Sequence, residues 1–198
     1  MTGDVVVVPS APALLPAYVG QVDPVAEMRE AARDAVRLLV SRAPTRVVVV
    51  GADADPANVA RGSLEPLSSR VARVLLDHAG FHGPVVETFQ PGPLPCLLPG
   101  DALLVLADGT ARRGEKAPGH IDERAFAYDD ALEAALGSAD TEALRGLDAR
   151  LGVELLCGGV PALHALGALA GDRYRVEMSY ADDPFGVKYW VVRWQCES

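Results

Sequence analysis

The sequence has 198 residues, a formal net charge of −9 at pH 7, a pI near 4.9 and 49% hydrophobic residues. This length suits one domain, which we assign to residues 1–198. The acidic balance argues against a general nucleic-acid binder, because contacts with phosphates require a basic face. No apolar run has the length of a membrane span, and the first residues lack the basic start and long apolar stretch of a signal peptide, so we expect a cytoplasmic protein. Arginine far outnumbers lysine, as is typical of a GC-rich bacterium.

Strands and helices alternate in the N-terminal half. Val5–Val8 and Val47–Val50 are continuous β-branched runs, which are typical of strands buried on both faces of a parallel sheet. Between them, apolar residues at helical spacing predict a helix over Pro24–Ser41, with Asp23 as its N-cap. The three elements together predict a βαβ unit.

The same alternation continues to the C-terminus. Further helices are predicted over Leu67–Ala79, Glu123–Leu136, Thr141–Leu156 and Pro161–Ala170. Further strands are predicted over Pro84–Thr88, Ala102–Leu106, Tyr174–Tyr180 and Val187–Trp194. The turn-forming segment "ADDPFG" joins the last two strands and predicts an antiparallel hairpin at a sheet edge. The predicted fold is therefore α/β, a three-layer α/β/α domain with a mostly parallel central sheet and a C-terminal antiparallel hairpin.

Three loops are predicted to share one end of this sheet, which we call the rim. Ligands of such sheets bind outside the carboxyl ends of the parallel strands. The rim loops are Pro9–Leu15, Gly51–Arg61 and a long polar segment, "ADGTARRGEKAPGHIDERAFAYDDAL", from Ala107 to Leu132. In the first two loops, Ser10 and Asp53 are candidate ligand-binding residues. Asp53 and Asp55 either bind a hard cation through water or form a turn and helix cap before Pro56.

The long polar segment supplies most of the candidate ligand-binding residues, namely Asp108, Thr110, Arg112, Arg113, Lys116 and His120. One interpretation is an anion pocket, because arginine binds carboxylate or phosphate through two hydrogen bonds. Another is an ion-paired loop that packs over the rim, although exposed ion pairs contribute only about 0–1 kcal/mol each. A third is a contact between subunits.

Cysteines and histidines give few further candidates. The three cysteines are too widely spaced for a disulfide framework or a structural zinc site. Cys157 precedes Gly158-Gly159 at a predicted helix end and is either a ligand-binding residue or a small buried side chain. Of the remaining histidines, His78 and His82 are expected at a helix end and His164 in a packed helix. No phosphate-binding loop and no nucleophile elbow occurs.

Several motifs, in the right order, resemble a known family. The segment "ADGTARRGEKAPGHIDERAFAYDDALEAAL" is similar to the central region of class III extradiol ring-cleavage dioxygenases of the LigB type. There a strand is followed by a short Asp/Gly/Ser/His motif, a variable loop, an aromatic-Asp pair and a helix. The pair here is Tyr128-Asp129. The C-terminal region resembles the related MEMO proteins, with Cys157-Gly158, Tyr180 and Tyr189 at matching places.

This resemblance implies a three-layer α/β fold and an iron(II) site made of two His and one Glu, with a further His as acid and base. The positions that match the histidines hold other residues, in Pro9–Pro12, in Gly51–Asp55 and at Ala111. The last ligand matches either Glu154 or, as in MEMO proteins, Cys157. The resemblance thus implies a LigB-like frame without the iron ligands, and we expect no cofactor.

Three functional hypotheses follow. The first is a LigB-like protein without the iron site, acting as a small-anion binder or an assembly module. The second is an active dioxygenase or MEMO-type oxidoreductase with a rearranged metal site. The third is a metal-independent enzyme that binds an anionic substrate through Arg112, Arg113 and Lys116. The rearranged metal site of the second hypothesis consists of Asp53, Asp108, His120 and Cys157. A homo-oligomer is left open, and no nucleic-acid or membrane partner is expected.

Overall fold

The computed structural model describes residues 3–18, 23–54, 59–60, 62, 64–90, 94–169 and 173–197. The strands are β1 (Val5–Val8), β2 (Arg46–Ala52), β3 (Val85–Gln90), β4 (Asp101–Leu106), β5 (Tyr174–Asp182) and β6 (Tyr189–Cys196). The helices are α1 (Ala26–Ser41), α2 (Leu67–His78), α3 (Arg124–Ser138), α4 (Thr141–Arg145), α5 (Ala149–Glu154) and α6 (Val160–Gly167). Two short 3-10 turns, Pro12–Leu14 and Pro16–Tyr18, follow β1.

The strands form one six-stranded sheet in the order β3-β2-β4-β1-β6-β5. Strands β3, β2, β4 and β1 are parallel, β6 is antiparallel to β1, and β5 is antiparallel to β6. The predicted fold class is thereby confirmed. Only β5 of the predicted hairpin is an edge strand, because β6 lies between β1 and β5. The run of β6 from Tyr189 to Val192 is buried throughout, as expected for an inner strand.

The sheet is covered by helices on both faces. Successive valines of β1 point to opposite faces, so Val6 and Val8 pack with residues of α1 and α2, whereas Val5 and Val7 pack with residues of α3 to α6. A fully buried valine contributes about 1.5–3 kcal/mol relative to an exposed one. Within the described chain, no helix is both long and apolar enough to cross a membrane.

Two helix predictions differ from the structure. The predicted helix Thr141–Leu156 is divided into α4 and α5, because Asp148 acts as a second N-cap and accepts a 3.0 Å hydrogen bond from the Leu151 N–H. Helix α1 begins at Ala26 after Val25, so Asp23 is not its N-cap. Asp23 instead accepts the Val25 N–H and pairs with Arg29.

Candidate functional site

The three predicted rim loops lie together at one end of the sheet. Ser10 follows β1, Asp53 follows β2 and Asp108 follows β4. The Ser10 N–H donates a 2.8 Å hydrogen bond to Asp108 Oδ1, and Ser10 and Asp53 line a common cleft. This arrangement follows from the parallel topology, which brings the carboxyl ends of neighbouring strands together. Asp55 and Pro56, in the second loop, lie outside the described residues.

The rim cleft has a volume of about 320 Å³ and lies between the loop after β1, the end of β2 and the first turn of α2. Gly51 allows α2 to approach β2 closely, because a Cβ atom at this position would lie 2.4 Å from Cβ of Ser68. The Ser68 hydroxyl donates to the carbonyl of Ala52 and joins helix to strand. Pro66 gives α2 no side-chain cap, so the N–H groups of its first turn stay uncapped by a side chain at this end of the cleft.

The cleft contains charges of both signs. Arg70 is exposed in the cleft wall and forms no ion pair with another described residue. Glu65 pairs with Arg73, which partly compensates its charge. Asp53 is exposed and accepts the N–H of Ala54 at 2.7 Å. The cleft therefore combines a guanidinium and the positive end of a helix dipole with one open carboxylate.

The carboxyl group of Asp108 has a pKa close to neutral. Burial raises its pKa to about 7, and the hydrogen bond from Ser10 opposes this rise. Its backbone carbonyl accepts the Gly159 N–H at 3.2 Å and the Cys157 thiol at 3.4 Å. Burial raises the pKa of Tyr189, and the Asp108 charge raises it further. Asp108 is therefore held in place by its surroundings on several sides.

Thr110 and Arg113 stabilise the long polar segment from within. The fully buried Thr110 donates its N–H and its hydroxyl to Asp129, at 2.9 and 2.6 Å. Arg113 donates to Asp183 at 2.6 Å and to Asp129 at 3.4 Å, and its guanidinium lies 4.5 Å from the centre of the Phe126 ring. These contacts favour the interpretation of an ion-paired loop.

The cations predicted to form an anion pocket have separate surroundings. Arg112 donates to the carbonyl of Gly119 in its own loop, and its buried Nε has no hydrogen-bond partner. Arg113 already faces two carboxylates. Lys116 is exposed, and so is His120. An anion pocket made of Arg112, Arg113 and Lys116 is therefore not supported by their contacts.

The alternative metal site is not assembled either. Within the described residues, no three His, Cys, Asp or Glu side chains come together to hold a metal ion. The described residues include all four proposed ligands, Asp53, Asp108, His120 and Cys157. Cys157 is buried, and burial raises the pKa of its thiol, which disfavours the thiolate that binds metals. Glu154 is exposed on α5 and pairs with Arg124. The side chains present thus do not fit the iron site of the dioxygenases.

Arg70 and Ser68 are two polar cleft residues that the sequence analysis did not identify. Both belong to the stretch "EPLSSR", which begins α2 directly after the second rim loop. A helix that follows a parallel strand starts at the rim, so the polar residues of its first turn were identifiable from the βαβ pattern. The sequence pattern that indicates these residues is Pro66 directly before the helix, followed by two serines and an arginine in its first turn.

Comparisons with known proteins support the fold alone. No model of a known protein family matches the chain, and no curated protein matches its sequence. Among solved structures, the chain is similar to the crystal structure of the uncharacterized protein JW3007 from Escherichia coli K12, with a TM-score of 0.53 and 12% identity. The match covers 96% of this chain and 99% of that chain. At this identity the similarity shows a shared α/β architecture and no function.

Proposed function

We propose that the chain is a LigB-like protein that binds a small anionic ligand in the rim cleft and does not carry the iron site of the dioxygenases. The LigB part of this proposal rests on the order of the elements around β4. Asp108 and Thr110 follow the strand, and the aromatic-Asp pair, Tyr128-Asp129, lies in the next helix. The absence of an iron site is supported by the described residues, among which no three candidate metal ligands come together.

The rim cleft is the observation on which the binding proposal depends. Arg70 offers two parallel donors for a carboxylate or phosphate, and the N-terminal turn of α2 favours the same negative group. Asp53 adds an acceptor for a hydroxyl or amino group of the same ligand. The favoured ligand is therefore a small acid that also carries a hydrogen-bond donor.

Calorimetric titration with inorganic phosphate, benzoate and 4-hydroxybenzoate tests this proposal. At least one acid should bind, and Arg70→Ala should weaken its binding at least about tenfold, because a charge-assisted hydrogen bond contributes about 1.5–3 kcal/mol. Lys116→Ala is the matched control, since it removes one exposed cation from the long polar segment and leaves the rim cleft intact. Loss of binding in Lys116→Ala but not in Arg70→Ala would move the site to the long polar segment. The absence of binding to all three acids would reject the anion-binding proposal.

A metal-independent enzyme is the second candidate, and the pKa of Asp108 favours it. A carboxyl group with a pKa of about 7 is suited to general acid–base catalysis at neutral pH. An acid whose carbon-bound hydrogens lie next to a carbonyl group, such as pyruvate, is therefore to be incubated with the protein in D₂O and followed by proton NMR. Exchange of a carbon-bound hydrogen that Asp108→Asn abolishes would support catalysis, and binding without exchange would leave the chain as a binding protein.

A further inference from the structure

The edge strand β5 presents an open side to solvent. It has nine residues and pairs with β6, and no other described strand lies beside it. Its side chains alternate between half-buried and exposed from Tyr174 to Tyr180, so neither face of the strand is fully covered. Such edges readily add another strand, because their outward backbone groups lack partners within the sheet. An open edge strand of nine residues is therefore expected either to be protected from pairing with other strands or to pair with one.

The ladder between β5 and β6 determines which backbone groups point outward. The Glu197 N–H donates to the Arg173 carbonyl at 2.9 Å, so Arg173 faces β6. Because facing directions alternate along an antiparallel strand, Arg175 and Glu177 also face β6 with their backbone groups. The N–H and C=O groups of Val176 then point away from the sheet, toward any strand that adds to it.

We propose that two copies of the chain pair through β5 as antiparallel strands, with a two-fold axis at Val176. This register places Arg175 of each copy opposite Glu177 of the other, and both side chains are exposed on the same face. Opposite charges that face each other across strands stabilise the pair, and like charges destabilise it. The strand is therefore complementary to itself in this register.

Neighbouring registers lack this complementarity. An axis at Arg175 or at Glu177 would place two like charges directly opposite each other. An axis at Met178 would place neither charge opposite its counterpart and would carry the pairing across the irregularity between Met178 and Tyr180. The charges of the chain thus select the register centred on Val176.

The groove beside β5 gives the second copy a further electrostatic contact. This groove of about 480 Å³ lies between α1 and the last two strands and includes Glu27, Glu30 and Glu177. Its one arginine, Arg193, is paired with Glu177 at 2.5 Å. Arg175 lies on the same face of β5 as Glu177, so in the proposed pair the second copy brings its Arg175 to the mouth of a mainly negative groove. We infer a second copy rather than another chain because the chain itself supplies the complementary charge.

Sedimentation velocity over a range of protein concentrations tests the pairing with charge-reversal variants. The wild-type chain should form a dimer. Arg175→Glu and Glu177→Arg should each raise the dissociation constant at least about tenfold, because each puts two like-charge pairs into the interface. The double variant Arg175→Glu/Glu177→Arg should restore dimerisation, since it re-forms both pairs with reversed signs. It is made together with Arg193→Glu, because Arg193 would otherwise face the arginine introduced at position 177 of the same chain. Arg150→Glu, a change of the same charge at a highly exposed position on α5, should leave the dimer unchanged.

Disulfide cross-linking tests the position of the axis. Paired residues in an antiparallel ladder have Cα atoms about 5.5 Å apart, within the range that a disulfide spans. Val176→Cys in a Cys96→Ser background should therefore form a disulfide-linked dimer under mild oxidation, and Cys96→Ser alone should form no disulfide-linked dimer. A chain that is monomeric at every concentration overturns the proposal. A dimer that tolerates Arg175→Glu, or that the double variant does not restore, also overturns it.

Discussion

The replacement Asp108→Asn separates the electrostatic cost of this carboxyl from its structural role. Asparagine keeps an oxygen that accepts the Ser10 N–H, and it cannot ionise. The pKa of Asp108 is raised from its ordinary value of 3.8 to about 7 in the folded chain. The native state therefore holds its proton between pH 4 and 7, where the unfolded chain has already lost it. The stability contributed by this group is complete below pH 4 and is lost as the pH rises to 7.

The size of this effect follows from the same two pKa values. One pKa unit corresponds to about 1.4 kcal/mol, which sets an upper limit of about 4 kcal/mol for the cost of ionised Asp108. Because the residue is only half-buried, solvent reduces this cost, and we expect about 1–3 kcal/mol. Asp108→Asn should then be more stable than the wild-type chain by this amount at pH 8, and equal to it near pH 4.

Urea denaturation of both proteins at pH 4, 5.5, 7 and 8 measures this difference in the free energy of unfolding. The difference should grow up to about pH 7 and then stay constant. Asp53→Asn is the matched control for the removal of a carboxylate at this rim, because the Asp53 side chain is exposed. A stability difference that does not vary with pH, or an Asp108→Asn variant less stable than wild type at pH 8, would contradict a raised pKa for Asp108 in the folded chain.

Three further predictions concern the structure around the rim. Asp129→Ala should lower the free energy of unfolding by about 3–5 kcal/mol in urea denaturation, because it leaves the buried N–H and hydroxyl of Thr110 without their acceptor and removes one of the two carboxylates that face Arg113. Asp130→Ala, at the exposed neighbouring position, should change it little. Gly159→Ala should destabilise the chain and lower its melting temperature, because the added Cβ atom would lie 2.3 Å from a backbone oxygen. In the native protein, Cys96 should react rapidly with a thiol reagent and Cys157 only on unfolding. The reason is that Cys96 is exposed, whereas Cys157 is buried and burial raises the pKa of its thiol. Equal reaction rates of the two thiols would contradict this prediction.

Much of the fold was predictable because its strands carry strong local signals. The valine runs of β1 and β2 are buried on both faces, as their continuous hydrophobicity predicts. The position of β6 inside the sheet was not predictable from its own sequence, because it depends on pairing with β1 across most of the chain. The division between α4 and α5 was within reach, since Gly146 and Asp148 are typical residues for ending one helix and starting another.

The candidate site was predictable in position but not in its charges. The topology rule places Ser10, Asp53 and Asp108 at one end of the sheet, and no pairing information is needed for that step. Whether an arginine is available for a ligand depends on distant partners. Arg113 meets Asp183, which lies 70 positions further along the chain and comes close only through the β5–β6 hairpin. No local pattern could have revealed that this cation was already paired.

The contacts of the long polar segment explain why it is well suited to hold a fixed acid–base group. The backbone next to Asp108 is bound to Lys188, the residue before β6, because the Gly109 N–H donates to the Lys188 carbonyl at 2.8 Å and the Lys188 N–H donates to the Thr110 carbonyl at 3.0 Å. A side chain at Gly109 would meet Trp190 at 2.6 Å, so only glycine lets the segment pack this closely. These constraints act without any ligand. Ser10, which lines the rim cleft, donates its N–H to Asp108, so the binding of a ligand beside Ser10 does not have to supply the free energy of ordering the loop that carries this carboxyl.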